Sequence, residues 1–246
     1  MTDIEKADSI KKTARIAGFL FLIILVCSPF SMMYVPSNLI VPGNAETTAR
    51  NIMTSESLFR LGIVSDSIIF LTEIVLAVML YVLLKPVSKL LSLVMAFSRL
   101  GEAFILGINM LNHFFVLQLL SGANYLNVFE PDQLHALVLV FLNAHNYGVL
   151  ISEVFFGFHL VFLGYLVIKS GYFPRILGVL LVCASAGYLI ESFGNFLVPS
   201  YEELFSYVVL VLGIIGELPF LFWLLLKGVQ VEKWKTRALE SSVQGR

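Results

Sequence analysis

An all-α integral membrane bundle of six transmembrane helices, with both termini in the cytoplasm, is the fold this sequence predicts. Three observations carry it. Of 246 residues, 58% are hydrophobic and 13% charged, where a soluble domain carries about 25% charged residues. The mean hydropathy is +0.89. Apolar runs long enough to cross a bilayer, roughly 20 residues each, recur six times between short polar or basic turns.

Residues 1–15 are a basic cytoplasmic segment, residues 16–228 the transmembrane domain and residues 229–246 a charged cytoplasmic tail. The first span runs from about Ile16 to Val35, and Pro36 and Pro42 are expected to end it. Lys11, Lys12 and Arg15 ahead of an apolar run resemble a signal peptide. Ser28-Pro29-Phe30-Ser31-Met32 has no small-x-small cleavage site, so the segment is read as a retained span. Asn44 caps a short surface helix whose apolar stripe is Ala45, Ala49, Ile52 and Met53. The second span covers about Leu58 to Leu84 and ends in the basic turn Lys85 to Lys89. The third covers about Leu90 to Leu120. The fourth, about Gln133 to Ile168, is too long for one straight crossing, and Gln133–Asn143 is expected to lie along or beyond the surface. The fifth covers about Ile176 to Val198 and the sixth about Leu204 to Leu226. Cys27 and Cys183 both lie inside apolar runs, where cysteine acts as a small hydrophobe, and no disulfide is expected.

Orientation follows from the basic residues, which collect on the cytoplasmic side. With the amino terminus inside, the inner set is Lys6, Lys11, Lys12, Arg15, Lys85, Lys89, Lys169, Arg175, Lys227, Lys233, Lys235, Arg237 and Arg246. Outside are Arg50 and Arg60, and Arg99 lies in a span. That assigns 13 to the cytoplasm and 2 outside, and accounts for all 16 Lys and Arg. The expected location is the cell membrane. With a net charge of −1, no nucleic-acid partner is expected, and the lipid bilayer is the partner the composition identifies.

Polar groups inside the spans mark the candidate site. Six carboxylates fall there: Asp66, Glu73, Glu102, Glu153, Glu191 and Glu217. A charge at the bilayer centre costs about 2.5–3.5 kcal/mol on insertion scales, so these groups face the bundle interior. Arg99, Glu102, Leu106, Asn109 and His113 recur at helical spacing on one stripe. Asp66 and Glu73, seven apart, share a face. At a rise of about 1.5 Å per residue, two tiers emerge. Glu73, Glu102, Glu153 and Glu217 lie near the midplane. Asp66, His113, His145, Glu191 and Asn195 lie in the outer half. Arg99 is expected to pair with Glu102 or Glu73. Asn109, Asn112, Asn195 and Gln118 are expected to join helices by hydrogen bonds. Glu217 is expected to bond the carbonyl freed by Pro219, and His159 a backbone group. One arginine cannot neutralise six carboxylates, so several must be protonated, solvated or bound to a cation.

No His-Glu-x-x-His, Gly-x-Ser-x-Gly or phosphate-loop motif occurs, and the reading leans away from an enzyme. Several stretches resemble the bacterial family called domain of unknown function 4386. They are Thr48–Ile52, Leu58–Ile63, Leu80–Val87, Phe155–His159, Leu163–Leu166 and Ser170–Gly178. The run from Gly171 to Gly178 is the most specific, and the resemblance spans nearly the whole chain. It implies a multi-pass membrane protein and brings no activity and no functional residues.

Three functions are compatible with these residues. The first is a transporter of protons, cations or small solutes built on the midplane carboxylates, and it is preferred narrowly. The second is an intramembrane metal or haem protein, an enzyme or electron carrier, with His113 and His145 as ligands and Asp66 and Glu191 completing the site. The third is an assembly or sensor component without catalysis. The first and third need no cofactor.

Overall fold

The computed structural model describes residues 3–244 and is helical throughout, with no strand among the described residues. The helices are α1 (Asp3–Pro29), α2 (Val35–Leu39), α3 (Ala45–Thr54), α4 (Glu56–Leu84), α5 (Lys89–Asn109), α6 (Leu111–Leu119), α7 (Pro131–Ser170), α8 (Arg175–Leu197), α9 (Glu202–Leu226) and α10 (Val231–Gln244). Among the described residues, six stretches are long and apolar enough to cross a membrane. They are Ser9–Leu39, Glu56–Leu84, Lys89–Leu119, Pro131–Ser170, Arg175–Leu197 and Pro199–Leu226. Their outward faces carry large apolar side chains such as Phe19, Leu61, Phe97, Phe104 and Ile214, as lipid exposure requires. The chain is a multi-pass membrane protein.

Local chemistry explains the departures from the expected boundaries. α1 runs through Pro29, which has no N–H for the carbonyl one turn back. Directly after it the helix widens into a π-helical turn, Phe30–Tyr34, and continues as α2 to Leu39. Pro36 therefore does not end the span; it sits in the first turn of α2, where a missing N–H is tolerated. The Asn44 cap is present, its Oδ1 accepting from the Thr47 amide at 2.9 Å. α3 buries Thr48, Ala49 and Ile52, whereas Met53 is exposed. The third span is interrupted at Met110, between α5 and α6. α7 is one unbroken helix of 40 residues. It ends at Gly171, whose φ of +75° is the left-handed conformation that glycine adopts without a Cβ clash. The tail, read as merely charged, forms α10. Both cysteines are free.

The chain divides into two compact units. The first comprises the chain up to Leu22, Thr72–Glu102 and the chain from Ser152 onward. Here α8 and α9 form an antiparallel hairpin around the Pro199–Tyr201 turn. Small residues allow close approach, as is usual between membrane helices. A Cβ at Gly216 would lie 2.7 Å from the Leu180 carbonyl oxygen, and one at Gly164 2.6 Å from that of Gly178. The second unit comprises Ile23–Leu71 and Ala103–Ile151. Its core joins Val35, Leu39, Ile52, Phe59, Ile63, Met110, Val116, Val138 and Leu142.

Candidate metal centre

Within the second unit, three spans bring Asp66 (α4), His113 (α6) and His145 (α7) together. Each offers one ligand atom, and these atoms all lie within 4.8 Å of one another. The Asp66 Oδ2 to His113 Nδ1 distance is 3.7 Å, too long for a hydrogen bond. The imidazole rings of His113 and His145 stack at a centroid distance of 3.8 Å and an angle of 24°. Nδ1 of each is buried and has no hydrogen-bond partner. Phe59 packs its edge on His113 at 5.2 Å.

The surroundings hold these groups in place. Asn109, at the end of α5, donates from Nδ2 to the His145 carbonyl at 2.8 Å, and accepts on Oδ1 from Asn112 Nδ2 at 2.8 Å. Gly148, one turn past His145, lies directly against that amide, so that any Cβ there would collide with it. Ser31, inside the π-helical turn, lies within hydrogen-bonding reach of the Asp66 carboxylate and 3.3 Å from the Cys27 carbonyl. Single π-helical turns in α-helices recur at functional sites; here the turn carries a hydroxyl that meets Asp66. Two small cavities adjoin the cluster. One, of about 20 Å³, is lined by Ser31, Phe59, Asp66 and His113 among others. The other, of about 10 Å³, is lined by Met32, Asp66, Met110 and His145 among others. Each has room for about one water molecule.

Two imidazoles and a carboxylate suit zinc, iron, copper or nickel. Bonds of about 2.0–2.2 Å require the three donors to close up by a fraction of an ångström to about one ångström, within the reach of side-chain rotation. A bis-histidine haem does not fit, because rings in stacking contact leave no gap for a macrocycle. Nor is Glu191 part of this group. It belongs to the first unit, where its Oε1 accepts from the Ser206 hydroxyl at 2.8 Å.

The remaining polar residues of the spans assemble in the first unit. Glu73 forms an ion pair with Arg99; of the two partners expected for Arg99, Glu73 is the one chosen. The guanidinium lies over the rings of Phe21 and Phe156, at 5.0 and 5.1 Å from their centroids, a favourable cation–π setting. Glu217 does not turn back to the carbonyl near Pro219. Its Oε1 accepts from the Tyr188 hydroxyl at 2.7 Å. Asn195 bonds the Glu191 carbonyl within its own helix, so it does not join helices as expected. His159 meets a backbone group as expected, with Nδ1 at 2.9 Å from the Met95 carbonyl. Asp66 and Glu73, despite their shared helical face, serve different units. Tyr188, Ser31 and Ser206 went unmarked in the sequence. A serine or tyrosine in an apolar run gives no signal until its partner is known.

The family model described as "Domain of unknown function (DUF4386)" matches residues 16–228. An uncharacterized protein of Archaeoglobus fulgidus is 34% identical over 169 residues, 68% of this chain and 83% of that protein. No solved structure matches the chain.

Proposed function

This chain belongs to the DUF4386 family, and for it we propose an intramembrane metalloprotein that binds one divalent transition-metal ion through Asp66, His113 and His145. The observation that carries this reading is the convergence of three ligand atoms, from three separate spans, within 4.8 Å. Three protein ligands leave coordination positions free, the pattern of metal sites that act on an exogenous ligand rather than serve as structural staples. The adjoining cavities give room beside the site for a ligand the size of water. With both termini cytoplasmic in the cell membrane, as the basic residues direct, the metal lies in the outer half of the bilayer. The division into a basic segment over residues 1–15, a membrane domain over 16–228 and a cytoplasmic tail over 229–246 belongs to the same reading.

Elemental analysis and absorption spectra of untagged, detergent-purified protein test it. One transition-metal equivalent per chain is expected, with retention lost in H113A and H145A while both variants stay folded. Wild-type protein that stays metal-free and shows no thermal shift after incubation with zinc, iron, copper and nickel would overturn it.

A further inference from the structure

The interior of the first unit carries more negative charge than it balances. Glu102 on α5 lies within electrostatic reach of Glu73 on α4, Arg99 on its own helix, Glu153 on α7 and Glu217 on α9. Tyr188 and Glu191 contribute from α8, the latter facing Glu153, and His159 from α7 stands beside Arg99. α1 contributes the Phe21 ring. Arg99, only 1% exposed, is the sole fixed cation among them. With Glu73, Glu102, Glu153 and Glu217 all ionised, three negative charges would stand unbalanced at a depth where each costs about 2.5–3.5 kcal/mol.

Hydrogen bonding identifies which acids lack compensation. Glu73 is consumed by Arg99. Glu217 is served by Tyr188. One oxygen each of Glu102 and Glu153, Oε2 in both, is enclosed without a donor, and the hydroxyl within hydrogen-bonding reach of the Glu153 carboxylate is that of Ser192, which is neutral. A second observation comes from His159. A carbonyl only accepts, so His159 Nδ1 must donate its hydrogen to Met95, and in the neutral imidazole Nε2 is left as a lone pair. That nitrogen is fully buried and accepts from no protein group. Arg99 Nη1 is likewise buried without an acceptor. The lone pair needs a donor, and the carboxylates need a cation. A carboxyl that has gained a hydrogen removes one of the unbalanced charges.

We propose that this interior is an uptake site for small monovalent cations, protons or alkali-metal ions, with Glu102 and Glu153 as the groups that receive them. A proton taken up adds to a carboxylate oxygen and makes a carboxyl group. An alkali ion is held by the oxygens without a covalent bond. Either removes one unit of negative charge per acid. This is the cation-handling chemistry that the midplane acids suggested, narrowed to two residues.

Infrared difference spectroscopy of the full-length protein in liposomes tests it, in the presence of a chelator so that the result is independent of the proposed metal centre. Wild type, E102Q, E153Q and the double variant are titrated with pH in sodium, potassium and choline buffers, alongside melting curves. Glutamine keeps the shape of glutamate and removes the charge, so the variants are expected to melt no lower than wild type. Proton uptake gives a protonated-carboxyl band that fades as pH rises and loses intensity in each single variant and most of it in the double. Alkali-ion uptake gives a carboxylate shift and a higher melting temperature in sodium or potassium but not choline, lost in the double variant. Wild type with neither response, or with responses unchanged in the double variant, would overturn the proposal.

Discussion

The rings of His113 and His145 lie face to face at 3.8 Å, although the two residues belong to different spans and share a depth rather than a sequence neighbourhood. Stacked imidazoles hold each other's orientation, and Asp66 completes the group from a third helix. The first expectation concerns the support of that group. Residues around metal ligands contribute about 10–100-fold in affinity. Ser31→Ala, which removes the hydroxyl beside Asp66, is expected to weaken metal binding within that range and to leave the stoichiometry at one. Isothermal titration with zinc reads both quantities. Binding should also weaken on acidification, since imidazole must be unprotonated to bind metal.

Gly148→Ala drives a methyl group into the Asn109 amide. Overpacking of this kind costs about 1–3 kcal/mol. The melting temperature should fall, and metal affinity with it, because the displaced amide also anchors the His145 carbonyl. Alanine at Gly43, which has nothing within 4 Å, is the control for local strain alone, since its φ of +73° disfavours a side chain without any collision.

Breaking the buried Arg99–Glu73 pair from one side leaves a stranded charge or an unfilled partner, at about 3–5 kcal/mol. E73Q and R99M should each be strongly destabilised. The double variant should recover most of the loss, because neither charge remains. A thermodynamic cycle from denaturant unfolding in detergent measures the coupling. Additive losses would show that the pair is not energetically linked.

Tyr172 lies in the turn between α7 and α8, fully buried, and donates to the Leu83 carbonyl at 2.8 Å. Burial pushes its hydroxyl up from the usual value of 10.0, against the smaller opposing effect of the Arg237 charge. A group raised in the folded state contributes stability that is complete below its unfolded value and is lost above it. Stability should therefore be flat up to about pH 10 and fall beyond it, and Y172F should abolish that alkaline loss. Y172F should also cost about 0.5–1.5 kcal/mol at neutral pH. Thermal melts across the alkaline range check both.

Much of this architecture was legible because bilayer crossing demands apolar length, and length survives in sequence. All six spans, the Asn44 cap and the shared depth of His113 and His145 could be read from spacing. What spacing lacks is rotation about the bundle. Rise along the helix alone puts Glu191 in the same expected tier as His113, yet it bonds Ser206 within the first unit. Asp66 and Glu73 share a face but lie about 10 Å apart along the helix, enough to meet entirely different neighbours. Glu217 was expected to answer Pro219, a local partner, and answers Tyr188 from α8 instead. Pro29 could be seen, but its outcome, a widened turn rather than a break, depends on Ser31 and its neighbours finding tertiary contacts. α10 stayed hidden because its charged sequence lacks the apolar length that reveals a span, and the hydrogen bond that ties it to α4 comes from Trp234.

That tryptophan has a consequence for how the protein is made. The carbonyl of Leu83, at the end of α4, accepts from Tyr172 and also from Trp234 Nε1 at 2.9 Å, 151 residues further along the chain. Synthesis is directional, so α4 reaches the bilayer long before either donor exists. Tyr172 arrives after two more spans, and Trp234 only after the sixth. The latch closes last. A ribosome stalled, or a fusion inserted, just before Val231 should yield a fully inserted protein with the end of α4 half-secured. Such a product should be more open to proteases near Lys85, a readout of finished biogenesis that does not depend on any bound ligand.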